Sequence, residues 1–244
     1  MDNQKLSWGK FMKRTLIISD IHGELKLFNK LLRKVKYNAD KDQLILLGDY
    51  IDRGPDSKGV LDRVLALKKQ GAIVLKGNHD DMMVAAVDNK PDAWKRWERA
   101  GALSTLQSYN SSIKTMELPE TDEFKAHISF IREMDYFYEQ DNYIFVHAGI
   151  RPDILFEENE RHTFLWIREL FYEKYSDYKT VVFGHTPVSI IRKKKDHNVY
   201  FGDNNIIGID GAATYGGQLN CLELPGRKTY HVRKKCLSNI FKRK

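Results

Sequence analysis

Acidic, amide and imidazole side chains recur beside glycines along this 244-residue chain. Asp20, Asp49 and Asn78 lie 29 residues apart, and each closely follows a short apolar run. Four of the eight histidines stand in the same kind of segment, namely His22, His79, His147 and His185. One such residue on its own is usually a turn former. Five glycine-flanked segments of this kind predict a shared functional site.

The mixture of side chains indicates which ions such a site would hold. Carboxylate, imidazole and amide-oxygen groups together suit Mn, Fe or Zn better than Ca²⁺, which prefers oxygen ligands alone. Even six of these seven side chains are too many ligands for one tetrahedral zinc ion. Two ions about 3.5–4 Å apart that share a carboxylate fit better, as in sites that transfer phosphoryl groups. Guanidinium groups bind phosphate oxygens bidentately, and Arg53 and Arg168 are the candidates for that role.

These side chains must be positioned by the strands that precede them. Short apolar runs predict strands over 15–19, 43–47, 72–75, 142–146 and 181–183. Amphipathic periodicity predicts helices over 24–35 and 57–70, the second with Ser57 as its N-cap. The β-α-β-α-β order favours a parallel sheet with right-handed crossovers. Ligands bind outside the carboxyl ends of such strands, where the polar groups lie.

The remainder of the chain is predicted to be helical and then rich in strands. Residues 80–134 favour several irregular helices, and a helix over 163–175 carries Arg168. Short strands over 198–201, 206–209, 218–224 and 228–232 predict a second, mixed sheet packed on the first. We therefore expect an α/β fold in which two mixed sheets form a central sandwich flanked by helices, with the metal site at the strand ends.

The charge is distributed unevenly. The formal net charge is +7, yet residues 15–225 hold 28 basic and 32 acidic residues. We expect one domain over 15–232, a basic N-terminal extension over 1–14 and a basic C-terminal tail over 233–244. A mildly acidic body gives no reason to expect specific nucleic-acid binding. The tail could contact an anionic membrane or an acidic partner weakly, and we expect a monomer.

Cysteine content favours a reducing compartment. The two cysteines, Cys221 and Cys236, cannot form a disulfide framework, so we expect a cytoplasmic protein. Cys221 and Arg227 have the spacing of cysteine-dependent phosphatases. That chemistry needs a phosphate-binding loop before a helix, whereas Cys221 falls in a predicted strand. We therefore expect Cys221 to be a buried apolar residue.

In order along the chain, the five segments resemble the signature of calcineurin-like metallophosphoesterases. The segments are Asp20–Gly23, Gly48–Gly54, Gly77–Asp80, His147–Gly149 and Gly184–Pro187. More narrowly, they resemble the phosphoprotein-phosphatase branch, which includes bacterial serine/threonine phosphatases and symmetrical diadenosine tetraphosphate hydrolases. The resemblance covers about residues 15–224. Asp80 departs from it, because glutamate is commoner at this position.

The resemblance implies a dinuclear metal centre. Asp20 and His22 would hold the first ion, and Asp49 would bridge both ions. The second ion would be completed by Asn78, His147 and His185. We expect the two divalent ions to be Mn, with Fe or Zn as alternatives.

The resemblance also implies a mechanism. A metal-bridging hydroxide would attack phosphorus, and His79, oriented by Asp52, would protonate the leaving oxygen. Arg53 and Arg168 would bind the phosphate together with Asn78.

Two substrates are compatible with this centre. We expect hydrolysis of phosphomonoesters by a serine/threonine protein phosphatase; the alternative is a symmetrical bis(5'-nucleosyl)-tetraphosphate hydrolase. A nucleic-acid-binding module would explain the basic ends but not the five segments. Trp94 and Trp97, with Arg96 and Arg99 nearby, would either bind a nucleotide or pack as a helix with a solvated basic face.

Overall fold

The computed structural model describes residues 13–234. Ten strands of these residues form two five-stranded sheets. In chain order the strands are β1 (Arg14–Ile18), β2 (Asp42–Leu46), β3 (Ile73–Val74), β4 (Phe137–Gln140), β5 (Tyr143–Val146), β6 (Thr180–Phe183), β7 (Tyr200–Phe201), β8 (Ile206–Gly208), β9 (Leu219–Leu224) and β10 (Lys228–Val232).

Both sheets are mixed. The first has the order β10-β9-β1-β2-β3, in which β1, β2 and β3 are parallel and β9 runs antiparallel to β1. The second has the order β4-β5-β6-β8-β7, in which β5, β6 and β8 are parallel. The parallel strands of each sheet have their carboxyl ends on one side.

Helices cover the sheets. They are α1 (Leu25–Lys34), α2 (Ser57–Lys69), α3 (Asn78–Val87), α4 (Ala93–Ala100), α5 (Ala102–Tyr109), α6 (Asp122–Arg132), α7 (Arg161–Trp166), α8 (Glu169–Lys174) and α9 (Val188–Ile191). Helix α1 buries Phe28 and Leu31, as its 3.6-residue periodicity predicts. Helix α2 begins after Asp56, whose side chain accepts a hydrogen bond from the Gly59 amide at 2.9 Å. Ser57, the expected N-cap, is instead the first helical residue.

The two sheets pack face to face. Ile17 of β1 and Ile45 of β2 share a buried apolar cluster with Val182 of β6 and Ile207 of β8. Leu16, one residue from Ile17, faces a different cluster, formed with the helices on the first sheet. Alternate residues of one strand therefore reach both cores. This arrangement confirms the predicted sandwich of two mixed sheets flanked by helices.

Two further expectations were wrong, and one strand was not predicted. The late strands do not form a sheet of their own, because β9 and β10 join the first sheet beside β1. An unpredicted edge strand, β4, pairs with β5. The helix expected over 163–175 is broken into α7 and α8. Arg168 lies at the break with φ −134° and ψ −110°, outside the helical region.

The ends of the chain are described only in part. Arg14, expected in the N-terminal extension, is the first residue of β1 and forms a salt bridge with Asp42. Most of the predicted basic tail, 235–244, lies outside the described residues, as do residues 1–12. Among residues 13–234, no helix is long and apolar enough to cross a membrane.

Candidate metal and phosphate site

The polar strand ends meet around one cavity of about 770 Å³. Eight of the ten expected site residues line it, namely Asp20, His22, Asp49, Arg53, Asn78, His79, Arg168 and His185. The other two, Asp52 and His147, lie beneath the lining and contact it. Nδ1 of His79 lies 2.6 Å from Oδ2 of Asp52, and Nε2 of His147 lies 2.9 Å from Oδ1 of Asn78. The fold therefore brings together residues up to 165 positions apart.

Asp49 lies between two groups of possible ligands. Its Oδ2 atom is 3.5 Å from Nε2 of His22, and its Oδ1 atom is 3.4 Å from Nε2 of His147. On the His147 side, Oδ1 of Asn78 lies 2.9 Å from Nε2 of His147 and 2.9 Å from Nδ1 of His185. Ligands about 2.1 Å from one ion are about 3 Å apart when they are perpendicular. This spacing, and the two directions in which the Asp49 oxygens point, fit a bridging carboxylate.

Backbone carbonyls set the tautomers of two imidazoles. Nδ1 of His22 lies 2.8 Å from the carbonyl oxygen of Ile51, and Nδ1 of His147 lies 2.8 Å from that of Leu47. Because a carbonyl only accepts hydrogen bonds, each Nδ1 carries the proton. Each Nε2 then presents a lone pair toward Asp49, as a metal ligand requires.

The electrostatics of these buried groups also fit cations. Burial lowers the pKa of His22 to about 3, so that imidazole is neutral at pH 7. Burial and the neighbouring Asp49 raise the pKa of Asp20 to about 7. Burial and the nearby Asp20 raise the pKa of Asp210 well above its usual range. Buried carboxylates that lie close together repel one another when they are ionised, and a bound divalent cation would offset that repulsion. Neutral imidazoles beside them have free lone pairs for the same cation.

Asp20 occupies a different position from the other expected ligands. Both of its carboxylate oxygens accept from the His185 amide at 3.1 Å, and it is not within the close group of His22, Asp49 and His79. Gly184 makes room for it, because a Cβ there would lie 2.2 Å from Oδ2 of Asp20. Asp20 therefore also connects the ends of β1 and β6.

The backbone of the site is strained. Six expected site residues have left-handed φ values between 45° and 70°, namely Asp20, His22, Asp49, Asp52, Arg53 and His185. Such residues cost on the order of 1–3 kcal/mol each and persist only where surrounding contacts enforce them. Asp80 supplies such contacts, because its buried carboxylate accepts from the amides of Asp49, Tyr50 and Gly77 at 2.8, 3.1 and 2.9 Å. Asp80, although shorter than the glutamate that is commoner at this position, thus holds the turn that contains Asp49.

His79 is held by a wholly buried carboxylate. Asp52 also accepts hydrogen bonds from Nε1 of Trp97 at 3.0 Å and from Oγ1 of Thr105 at 2.6 Å. Burial alone would lower the pKa of His79, but Asp49 and Asp52 raise it above its usual value. Nδ1 bonds to Asp52, so Nε2 is the atom that faces the cavity. This geometry suits a group that gives a proton to a leaving oxygen.

Two arginines reach the same space from different elements. The guanidinium of Arg53 donates to Nε2 of His22 and to Nε2 of His79, both at 2.7 Å, and it lies 5.1 Å from the centre of the Tyr215 ring. Arg168 donates to Oγ1 of Thr186 at 3.3 Å. Both side chains line the cavity, where a phosphate would meet them.

Several cavity residues were not among the ten expected site residues. Arg96, Arg99, Trp166 and Tyr215 line the cavity. His197, which is not one of the four histidines in the predicted segments, lines the cavity as well. For Arg96 and Arg99, the only indication in the sequence was their position beside Trp94 and Trp97, for which nucleotide binding was one of two alternatives.

Cys221 lies away from this cavity. It is completely buried in β9, and burial raises the pKa of its thiol well above the usual range. A thiol that stays protonated is a poor nucleophile. These facts agree with the expectation that Cys221 is an apolar core residue.

Comparison with known proteins gives the same result as the geometry. The family model described as calcineurin-like phosphoesterase matches residues 13–216. An asymmetrical bis(5'-nucleosyl)-tetraphosphatase PrpE from Anoxybacillus flavithermus is 28% identical over 88% of this chain and 92% of its own length. Serine/threonine-protein phosphatase 1 from Salmonella typhimurium is 29% identical over 86% and 91%, respectively.

Among solved structures, the fold is similar to a crystal structure of a candidate diadenosine tetraphosphatase. The TM-score is 0.65 at 24% sequence identity, over 92% of this chain and 95% of the other. The likeness of fold and the match of the family model over most of the described residues agree with the cavity of carboxylates and imidazoles. This chain belongs to the calcineurin-like phosphoesterase family and is a metal-dependent hydrolase of phosphoric esters.

Proposed function

We propose that this enzyme cleaves a P–O bond with His79 as the acid that protonates the leaving oxygen. The observation that carries the proposal is the pairing of His79 with the buried Asp52 at 2.6 Å, beside Asp49 and at the cavity wall. Protonation of the leaving oxygen is needed because an alkoxide is a poor leaving group at neutral pH.

The site residues fit two divalent ions. Asp20, His22 and Asp49 would hold one ion, and Asp49, Asn78, His147 and His185 would hold the other. When bound, two such ions activate water and offset the charge of the phosphate. The proposed ion is Mn, with Fe or Zn as alternatives, because all three accept mixed oxygen and nitrogen donors.

The remaining steps belong to the side chains around the phosphate. Arg53 and Arg168 bind its oxygens together with Asn78, and all three residues line the cavity. Arg53 donates a hydrogen bond to Nε2 of His79 in the structure. When Nε2 carries the proton for the leaving oxygen, it is itself a donor and cannot accept from the guanidinium. The guanidinium therefore turns to the phosphate as the substrate binds, which leaves Nε2 of His79 free to carry and deliver its proton.

Two substrate classes use this centre. A phosphoserine or phosphothreonine protein is the substrate expected from the sequence, and the relative named serine/threonine-protein phosphatase 1 supports it. A dinucleoside tetraphosphate is the second candidate, and the relative named bis(5'-nucleosyl)-tetraphosphatase supports that one. The ligands around Asp49 and the His79–Asp52 pair serve both, so the choice depends on the rest of the cavity.

Turnover of p-nitrophenyl phosphate tests the proposed reaction. We expect release of p-nitrophenol with Mn²⁺ and its loss in EDTA, with recovery when the ion is restored. Absence of turnover with Mn²⁺, Fe²⁺ and Zn²⁺ would refute the proposed function. Phosphoserine peptides and diadenosine tetraphosphate, compared on the same preparation, then separate the two substrate classes.

A further inference from the structure

Helix α4 presents a basic face to the cavity beyond the phosphate-binding pair. Arg96, Arg99 and Ala100 all line the cavity, and their spacing of three and four residues places them on one face of the helix. The adjacent face of the helix buries Ala93 and Trp97. The cavity therefore contains four arginines, of which only Arg53 and Arg168 have a role in the reaction proposed above.

Two contacts fix this helix to the reaction centre. Nε1 of Trp97, the residue next to Arg96, donates to the buried Asp52 carboxylate at 3.0 Å. The carbonyl of Gly101, at the end of α4, accepts from the Arg53 amide at 3.4 Å. The stems of Arg96 and Arg99 are one turn apart, about 5 Å along the axis. They are thus held at a set position relative to His79 and Arg53.

The two guanidiniums are available to a ligand. The salt bridges of the described residues include one from Lys95 to Asp92 at 3.9 Å, but none from Arg96 or Arg99. The hydrogen bond from Arg96 is a long one, 3.4 Å to the carbonyl of Pro91. Asp81 on α3 lies near enough to interact with the charge of Arg96, beyond salt-bridge distance. Free guanidiniums beside a phosphate site favour a further phosphate group, which they bind bidentately.

We propose that Arg96 and Arg99 form a subsite for a second phosphate of the substrate, so that this enzyme prefers nucleoside polyphosphates to monophosphate esters. The proposal rests on the proposed function, because the first phosphate is the one attacked at the His79 end. Trp166 and Tyr215 supply aromatic surface in the same cavity, against which a nucleobase stacks. A phosphopeptide would leave that aromatic surface and the second basic group without a partner.

Binding of ADP and of inorganic phosphate to the Mn²⁺-loaded enzyme tests the subsite without turnover. The variants are Arg96→Ala with Arg99→Ala, and Lys95→Ala as a matched control at an exposed basic residue of α4 that does not line the cavity. By calorimetry, we expect the double variant to raise the Kd for ADP by about tenfold and to leave that for phosphate within about twofold. Lys95→Ala changes neither.

Kinetics on the same proteins complete the test. We expect kcat/KM for diadenosine tetraphosphate to fall by about tenfold in the double variant, chiefly through KM, while p-nitrophenyl phosphate turnover stays within about twofold. Equal losses on both substrates, no loss on the tetraphosphate, or a loss confined to acidic phosphopeptides would each overturn the subsite. If ADP binding depends on the two arginines but no phosphoester is cleaved, the subsite stands and the proposed reaction fails.

Discussion

Nδ1 of His79 lies 2.6 Å from Oδ2 of Asp52, and this pair is assembled from two different strand ends. The Asp52 carboxylate is fully buried, where Trp97 and Thr105 also donate to it. Three donors stabilise its negative charge and fix its orientation. The imidazole of His79 is consequently fixed with Nε2 toward the cavity.

Replacing His79 with Asn removes the proposed acid but keeps a polar side chain of similar reach. We expect kcat for an alkyl phosphate such as β-glycerophosphate, whose alkoxide needs a proton to leave, to fall by about 10²–10⁴-fold, with two metal ions per chain retained because His79 is not one of the proposed ligands. Steady-state kinetics and inductively coupled plasma mass spectrometry measure the two quantities. A variant that loses its metal would show that His79 is a ligand rather than the acid.

Asp49→Asn is expected to act on the metals first. Each Asp49 oxygen faces a different group of imidazoles, and the amide NH₂ of Asn is a donor that cannot ligate a cation. We expect the metal content to fall from two ions to fewer than one per chain, with loss of turnover. Asp40→Asn, an exposed site, is the control. Retention of two ions would contradict a bridging role for Asp49.

The central residues of this site could be predicted from the sequence because the same unit, a strand followed by a polar residue, occurs several times along the chain. Asp20, Asp49 and Asn78 each follow one strand of a parallel sheet, so the strand pattern alone places them at a shared edge. Trp97 and Thr105 lie 45 and 53 positions from the Asp52 that they contact. Their roles depend on how α4 and α5 fold over the strand ends, and local periodicity contains no such information.

Local sequence patterns also fail to specify parts of the fold. The apolar runs located β9 and β10, but a strand's own pattern does not specify its partner. Their pairing with β1 arises from the whole chain. The pattern over 163–175 is continuous and contains neither proline nor glycine, so it predicted one helix. The break at Arg168 brings that side chain to Thr186, a tertiary contact that overrides local helix propensity.

Arg53→Ala and Arg168→Ala are expected to have unequal effects. Both should raise KM and lower kcat for p-nitrophenyl phosphate, because each removes a guanidinium that is proposed to bind the phosphate. Arg53 also contacts His22 and His79, so we expect its kcat loss, about 10²-fold, to exceed that of Arg168→Ala, about 10-fold. Arg151→Ala, an exposed site that pairs with Asp153, is the control. An unchanged KM would argue against phosphate contact.

Arg14 and Asp42 are expected to make stability depend on pH. Burial alone would raise the pKa of Asp42, but two hydrogen bonds from Arg14, at 3.0 and 2.7 Å, lower it. A lowered pKa contributes stability above the unfolded value, about 4, and this contribution disappears as pH falls through the folded pKa. In EDTA, Arg14→Met should lower the free energy of unfolding in urea by about 1–3 kcal/mol at pH 7. The difference should shrink below pH 4, whereas Lys30→Met should change little at either pH. A pH-independent loss for Arg14→Met would instead indicate packing by its aliphatic stem.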